Sequence, residues 1–271
     1  MSLYSITGFL VGLGFLVMAV AMNTDNSLLF FSGSSFLLVF GGTLANAFIS
    51  FQGRYVVLAL KDILKMFSHA RVNERIYYEE SLRVVEWATI TQSKGLLALD
   101  DKLNVDNIRD QILKTGIRLV VDNNSPDTVR ELLENRIQSA YDRSIRQVEI
   151  LRNMAGAAPA FGMMGTLIGL IIMLDSMGAS GEDAAASLGK GLAIALLTTL
   201  YGVALAKFIF QPAADKNMQR EEIYRFRNYL MLEGFVMLAE ERPARYVEER
   251  IKSFLDPAVL EKYSRGEGDK K

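Results

Sequence analysis

The chain has 271 residues, of which 50% are hydrophobic and 23% are charged, and its net charge is −1. A balance so close to neutral gives no electrostatic argument for a nucleic-acid partner. Because the chain has no cysteine and a single histidine, disulfides, thiolate chemistry and multi-histidine metal sites are excluded. The combination of many apolar and many charged residues predicts long apolar segments separated by charged ones.

Two apolar segments begin the chain, and each is long enough for a transmembrane helix, which takes about 20 mostly apolar residues. The first extends to Asp25 and the second lies between Asp25 and Arg54. Ala19-Val20-Ala21 has the small-residue pattern of a signal-peptidase site. However, no Lys or Arg precedes the first segment and a second full span follows at once, so we interpret the first segment as a retained span.

Residues 54–152 predict a helical domain, because apolar residues recur there at helical spacing and no strand-like alternation is sustained. Ser125-Pro126-Asp127 predicts a capped helix start with proline in the first turn. No helix breaker follows before Pro159. We therefore expect one long helix that continues into the third apolar segment.

The third apolar segment lies between Arg152 and Asp175, and the fourth runs from Gly191 to Ala206. The fourth is the shortest, but the long stem of Lys207 can reach the membrane surface. The alternative for each segment is a helix buried in a soluble core, which the lengths disfavour. Residues 211–271 predict a C-terminal helix and a tail.

The distribution of Lys and Arg predicts the orientation. Residues 1–53 hold none of them, residues 54–152 hold sixteen and residues 207–271 hold thirteen. Cytoplasmic segments are enriched in these residues, so both charged regions and both termini are expected in the cytoplasm. The predicted fold class is all-α: a polytopic membrane protein with four transmembrane helices and a cytoplasmic helical domain. Its predicted parts are residues 1–53 (spans 1 and 2), 54–152 (cytoplasmic domain), 153–210 (spans 3 and 4) and 211–271 (C-terminal cytoplasmic helix and tail).

The four spans contain no Asp, Glu, His, Lys or Arg at mid-depth. An ion-conducting membrane protein normally has an ionisable group there, so either the chain conducts nothing or a partner helix supplies the carboxylate. Thr166, Thr198 and Thr199 are expected roughly 12–14 Å below the outer ends of the third and fourth spans, at a rise of about 1.5 Å per residue. Their hydroxyls could ligate a hard cation, or each could bond a carbonyl of its own helix.

Small residues and proline mark the third span. Gly165 and Gly169 have the spacing of a face that lets helices approach closely. The neighbour is either another helix of this chain or a helix of a second protein. Pro159 predicts a bend in the helix and is a candidate hinge.

Four segments together carry a family resemblance. They are residues 158–170 (APAFGMMGTLIGL), 195–202 (ALLTTLYG), 212–216 (PAADK) and 94–100 (KGLLALD). The first two resemble the third-span and fourth-span signatures of the MotA/PomA family of flagellar-motor stator subunits, within the MotA/TolQ/ExbB proton channel superfamily. The other two resemble the segment after the fourth span and the family's cytoplasmic Gly-Leu-Leu-Ala-Leu-Glu stretch. The resemblance extends over nearly the whole chain.

The resemblance implies a torque-generating, ion-conducting subunit of the bacterial inner membrane, with no enzymatic activity and no cofactor beyond the transported Na⁺ or H⁺. Five such subunits would surround two copies of a MotB/PomB-type single-span partner that brings the ion-binding aspartate. Flux would turn the ring against the rotor switch-complex protein. The residues implied by position are Thr166, Thr198, Thr199 and Tyr201 for the ion path, Pro159 and Pro212 for coupling, and Lys94, Asp100 and Asp101 for the rotor face.

The sequence leaves three alternatives open: the coupling ion, the residues that contact the rotor, and the branch of the superfamily. The threonine pair with Thr166 resembles sodium-driven PomA more than many proton-driven relatives, so sodium is favoured. PomA-like proteins have a basic residue two places before Lys94, where this chain has Gln92. The main alternative is a TolQ/ExbB-type energy-transducing subunit, which usually has one span before its cytoplasmic region. A membrane enzyme is disfavoured because we find no nucleophile–base pair, no paired carboxylates in a span and no phosphate loop.

Overall fold

The structure, a computed structural model, describes residues 3–24, 27–65, 75–99, 108, 110–176 and 182–264. Within these ranges all regular secondary structure is helical, which confirms the predicted all-α class. The described helices are, in chain order, α1 (Leu3–Asn23), α2 (Gly33–Ser50), α3 (Gly53–Lys65), α4 (Arg75–Lys94), α5 (Gln111–Val121), α6 (Pro126–Ser176), α7 (Glu182–Ala204), α8 (Gln211–Ala239), α9 (Ala244–Lys252) and α10 (Pro257–Ser264).

Among the described residues, three turns depart from α-helical geometry. A 3₁₀ turn, Ser27–Phe30, precedes α2. A π-helical turn, Leu37–Gly41, lies within α2. A second π-helical turn, Leu205–Phe210, joins α7 to α8 without a break. The two π-helical turns are wider than an α-helical turn, and such wide turns are often found at the functional sites of helices.

The chain divides into two compact units. Unit 1 comprises Met1–His69 and Ile145–Met218, and unit 2 comprises Ala70–Ser144 and Gln219–Lys271. The predicted boundaries at residues 53, 152 and 210 refer to sides of a membrane rather than to packing, and they stay predictions.

Three described helices are long and apolar enough to cross a membrane. They are α2, the apolar part of α6, and the continuous helix Ala185–Ala239 made by α7 and α8. The apolar stretch of α1, Thr7–Asn23, is shorter than these three and falls among apolar helices of 10–17 residues. The membrane-spanning character of the chain therefore has structural support, and the count of four spans stays a prediction.

The long helix α6 confirms the predicted start and continuity. Pro126 is its first residue, where a missing N–H costs no hydrogen bond. The Ser125 Oγ accepts a hydrogen bond from the Thr128 N–H at 3.2 Å. From there the helix runs for 51 residues, through Pro159, to Ser176.

Unit 2 is built around a core of apolar side chains from α4, α5, the first part of α6, α8 and α9. The rings of Trp87 and Phe235 stack with centroids 5.6 Å apart. Gly116 lies against the same Phe235 ring, because a Cβ there would be 2.3 Å from it. Asp110 caps α5 by accepting from the Ile112 N–H at 2.9 Å. The helical character predicted for this region is confirmed over its described residues.

Candidate functional site

The contact between α6 and α7 is a seam of glycines. A Cβ built on Gly165 would lie 2.4 Å from the Thr198 Cβ, and one on Gly169 would lie 2.6 Å from the Gly191 O. A Cβ on Gly202 would lie 2.6 Å from the Ala158 O. The two backbones thus approach each other directly. For these glycines the close neighbour is a helix of the same chain, one of the two alternatives that the sequence left open.

Two of the three threonines form a pair beside this seam. The Thr166 Oγ1 and Thr199 Oγ1 are 2.8 Å apart, within hydrogen-bond distance. Each hydroxyl oxygen is also within hydrogen-bond distance of a carbonyl of its own helix, Thr166 of the Gly162 O at 3.1 Å and Thr199 of the Ala195 O at 3.3 Å. Because a hydroxyl has a single proton, one of the two donates across the pair and the other to its own helix. Thr199 is exposed and Thr166 is half-buried, so the pair presents oxygen atoms at the surface of unit 1.

Thr198 lies in the seam and not at that surface. Its side chain is 0% exposed and packs under Gly165. Its hydroxyl donates to the carbonyls of Ile194 at 2.9 Å and Ala195 at 3.0 Å. All three threonine hydroxyls are within hydrogen-bond distance of a carbonyl in the preceding turn of their own helix, as one of the two alternatives from the sequence predicts. Of the three, only Thr166 and Thr199 also form a hydrogen bond between the two helices.

Tyr201 occupies a third environment. Its hydroxyl donates to the Phe30 O at 2.6 Å and accepts from the Ser32 N–H at 2.9 Å. The Phe36 ring meets the Tyr201 ring edge-on, with centroids 6.1 Å apart. Tyr201 therefore ties α7 to the turn that begins α2. Sequence reasoning missed this partner, although the serines in residues 32–35 are an unusual polar group inside an apolar segment.

Replacing Tyr201 with phenylalanine is expected to lower the free energy of unfolding by about 1–3 kcal/mol, because the Phe30 carbonyl and the Ser32 amide both lose a partner. Thermal unfolding of the full chain in detergent measures the change, and hydrogen exchange of the peptide around Ser32 locates it. Tyr224→Phe, at an exposed position of α8, is the control. Equal stability of both variants would contradict the tie.

The prolines predicted to act in coupling both lie in uninterrupted helix. Pro159 is inside α6, and a Cβ on Gly202 would lie 3.2 Å from the Pro159 Cα. Pro212 is the second residue of α8, directly after the π-helical turn. There the Gln211 N–H donates to the Ala206 O, five residues back. A wide turn accommodates the ring of a following proline, which would otherwise crowd the preceding turn.

Comparison with known proteins decides the family. The sequence profile described as the MotA/TolQ/ExbB proton channel family matches residues 104–226. Motility protein A of Borreliella burgdorferi is 31% identical over 260 residues, which cover 95% of each chain. Chemotaxis protein PomA of Vibrio alginolyticus is 30% identical over 263 residues, 94% of this chain and 96% of its own.

The chain belongs to the MotA/TolQ/ExbB proton channel family. Within it the chain is of the MotA/PomA type, a motor stator subunit and not an enzyme, and a multi-pass membrane protein. The flagellar MotAB stator complex from Bacillus subtilis contains a chain with the same fold. The TM-score is 0.81 at 22% identity, and the match covers 97% of this chain and 98% of that chain.

In this MotA/PomA-type chain, Lys94 is the exposed last residue of α4. Gly95 follows with φ of 83°, a left-handed conformation that glycine adopts without strain and that ends many helices. Asp100 and Asp101, the other two residues predicted for the rotor face, lie outside the described residues.

Gln92, which stands where PomA-like proteins have a basic residue, contacts the start of α9. The Gln92 Oε1 accepts a hydrogen bond from the Ala244 N–H at 3.1 Å. Ala244 is the first residue of α9, and its N-cap residue Pro243 offers no side-chain acceptor. Gln92 therefore supplies the cap from another helix, which satisfies a backbone donor at the helix start.

A buried ion cluster in unit 2 escaped sequence reasoning. Arg227 of α8 donates to both Glu80 of α4 and Asp110, and the side chains of Arg227 and Glu80 are 8% and 6% exposed. Burial lowers the pKa of Arg227, but the charges and hydrogen bonds of Glu80 and Asp110 outweigh it and raise that pKa above its ordinary value. The available signal is that Arg227 is four residues after Ile223 and three before Leu230, on the apolar face of its helix.

The surface around the threonine pair is strongly apolar. Met163, Leu167 and Ile171 of α6 and Leu196 and Val203 of α7 are all exposed. Among the described residues, no group of three His, Cys, Asp or Glu side chains could hold a metal ion. This surface is suited to lipid or to an apolar partner helix, with the two hydroxyls as its polar element.

Proposed function

We propose that this stator subunit forms a cation channel together with a MotB/PomB-type single-span protein, and that ion flux through the channel turns a ring of such subunits against the rotor. The Thr166–Thr199 pair carries the proposal, because it presents two oxygens 2.8 Å apart on an exposed apolar face. The chain's own spans bring no carboxylate at mid-depth. A partner helix with an aspartate would complete the site at this face.

We propose sodium as the coupling ion. Neutral hydroxyl oxygens are suitable ligands for a hard cation, whereas a proton needs only the partner's carboxylate. Thr166 and Thr199 are the proposed ligands. Thr198, whose hydroxyl bonds its own helix inside the seam, would hold the seam closed beneath them. Tyr201 would fix the neighbouring span rather than touch the ion.

The proposal also assigns residues to the coupling of ion flux to movement and to the contact with the rotor. Pro159 lies inside α6, and Pro212 lies where α8 continues from the π-helical turn after α7, so both are the proposed points of bending. Lys94, Asp100 and Asp101 are the proposed rotor contacts. We further propose a ring of five subunits in the bacterial inner membrane. The Lys and Arg distribution supports the proposed location of both termini in the cytoplasm.

The test uses the full chain expressed with its partner in cells that lack a stator of their own. Rotation speed is measured in sodium and in potassium at constant pH. Thr166→Val with Thr199→Val is expected to reduce sodium-driven speed about ten-fold or more, because two oxygen ligands are lost. Thr166→Ser with Thr199→Ser keeps the oxygens and is expected to keep most of the speed.

Thr89→Val is the matched control, since Thr89 also donates to the carbonyl four residues back, at 2.9 Å, but lies outside the spans. Normal speed in the double valine variant would remove the pair from the ion path. Equal speed of the unmodified protein in sodium and potassium would instead identify protons as the coupling ion. Loss of speed in Thr89→Val would show that removing a threonine hydroxyl slows rotation even outside the spans, and would contradict a specific role of the pair.

A further inference from the structure

The helix α3 begins where a candidate span ends. The span helix α2 ends at Ser50, and α3 starts at Gly53. Phe48 and Ile49, in the last turn of α2, are exposed apolar residues. The next exposed side chain with a charge is Arg54. A change from exposed apolar to exposed cationic residues within five residues is the pattern of a chain that leaves the hydrocarbon of a bilayer at its surface.

The exposed side of α3 consists of two adjacent strips. Arg54 and Lys61 are exposed and seven residues apart, so at about 100° per residue they lie on one line. Val57 and Leu64 are also seven residues apart and are 44% and 75% exposed. The apolar strip is about 60° from the cationic strip around the helix axis. An apolar strip beside a cationic one is typical of helices that lie in a membrane interface.

The other side of α3 is packed within unit 1. Val56 and Ala59 are 0% exposed and belong to a core that includes Leu151 and Phe210. The only acidic residue of α3, Asp62, is buried on this inner side. The charge that the described side chains of α3 present outward is therefore entirely positive, which favours an anionic partner.

We propose that the exposed face of α3 binds anionic phospholipid of the adjacent leaflet. Acyl chains lie along Val57 and Leu64, and Arg54 and Lys61 each bind a phosphate. The two cations are about 10 Å apart along the axis, at about 1.5 Å per residue, so each can engage a separate headgroup. Long Lys and Arg stems allow the charges to reach the phosphates while the helix stays at the apolar boundary.

Native mass spectrometry of the full chain, in detergent micelles that contain equal amounts of the anionic lipid POPG and the zwitterionic lipid POPC, tests the proposal. The ratio of retained POPG to POPC is measured. Removing each cation is expected to lower this ratio about five-fold. Arg54→Gln with Lys61→Gln should therefore lose most of the preference, whereas Arg54→Lys with Lys61→Arg should keep it. About 0.5 M salt should weaken it in the unmodified protein.

Arg143→Gln with Arg245→Gln is the control, because it removes two exposed cations from unit 2. The proposal is overturned if this control lowers the ratio as much, or if the Arg54 and Lys61 variant keeps the preference. Leu64→benzoylphenylalanine supplies a test that needs no loss of charge. Photo-crosslinking to POPG supports the proposal, and crosslinking only to protein means that a second chain covers this face.

Discussion

Arg227→Met is expected to destabilise the chain by about 3–5 kcal/mol, because the Glu80 carboxylate then stays buried without its main partner. Arg83, at 2.8 Å from the other Glu80 oxygen, offsets part of that loss, so the lower end of the range is expected. The free energy of unfolding is measured by circular dichroism in urea on the full chain in detergent.

Two comparisons separate the buried charge from lost packing. Glu80→Gln with Arg227→Met is expected to recover much of the stability, since no unpaired buried charge remains. Lys252→Met breaks the exposed pair with Glu248 and is expected to change stability by about 1 kcal/mol or less. A loss in the double variant as large as in Arg227→Met would mean that the cluster acts by its shape alone.

The sign of any pH effect follows from the raised pKa of Arg227. A cation whose folded-state pKa is raised contributes stability at every pH below its unfolded value, and the contribution is lost only as the pH rises through the folded pKa. The ordinary pKa of arginine is already far above neutrality. The contribution of Arg227 is therefore expected to be constant across the physiological range.

Gly169→Ala is the second change with a large expected effect. The added Cβ would lie 2.6 Å from the Gly191 O and 2.7 Å from the Ala195 N, and neither backbone atom can move as a side chain would. Forcing α6 and α7 apart is expected to cost about 3 kcal/mol. Thermal unfolding in detergent should show a midpoint lower by about 6–12 °C. Rotation in cells should be lost with it, because the Thr166–Thr199 contact depends on the same seam.

The matched control for this change lies in the same helix. A Cβ on Gly156 would meet nothing within 4 Å, so Gly156→Ala adds a methyl group without a clash. Alanine is about 1 kcal/mol more favourable than glycine inside a helix, so this variant is expected to be as stable as the unmodified chain or more so. If Gly169→Ala behaved in the same way, the direct backbone contact between α6 and α7 would be wrong.

The family could be recognised from the sequence because its signatures are local. Residues 158–170 and 195–202 each lie within one helix, so their order and spacing are visible along the chain. The full-length similarity to motility proteins confirms that recognition. The uninterrupted helix through Pro159 was also predictable, since no other breaker lies near it.

Contacts between side chains far apart in the sequence were not predictable in the same way. Tyr201 bonds the Phe30 carbonyl, 171 residues away in sequence, and Arg227 bonds Glu80, 147 residues away. Gln92, which departs from the family pattern, caps a helix that begins 152 residues later. No local pattern encodes such pairs, because they depend on how helices pack.

The sequence by itself determined the apolar segments, the start of α6 at Pro126 and the presence of three threonines at similar depth, since these depend on residue type and spacing along one helix. Only the tertiary structure decided that Thr166 and Thr199 meet while Thr198 is buried. The physical reason is that the rotation of one helix against another is set by the glycines of the seam, where backbone meets backbone.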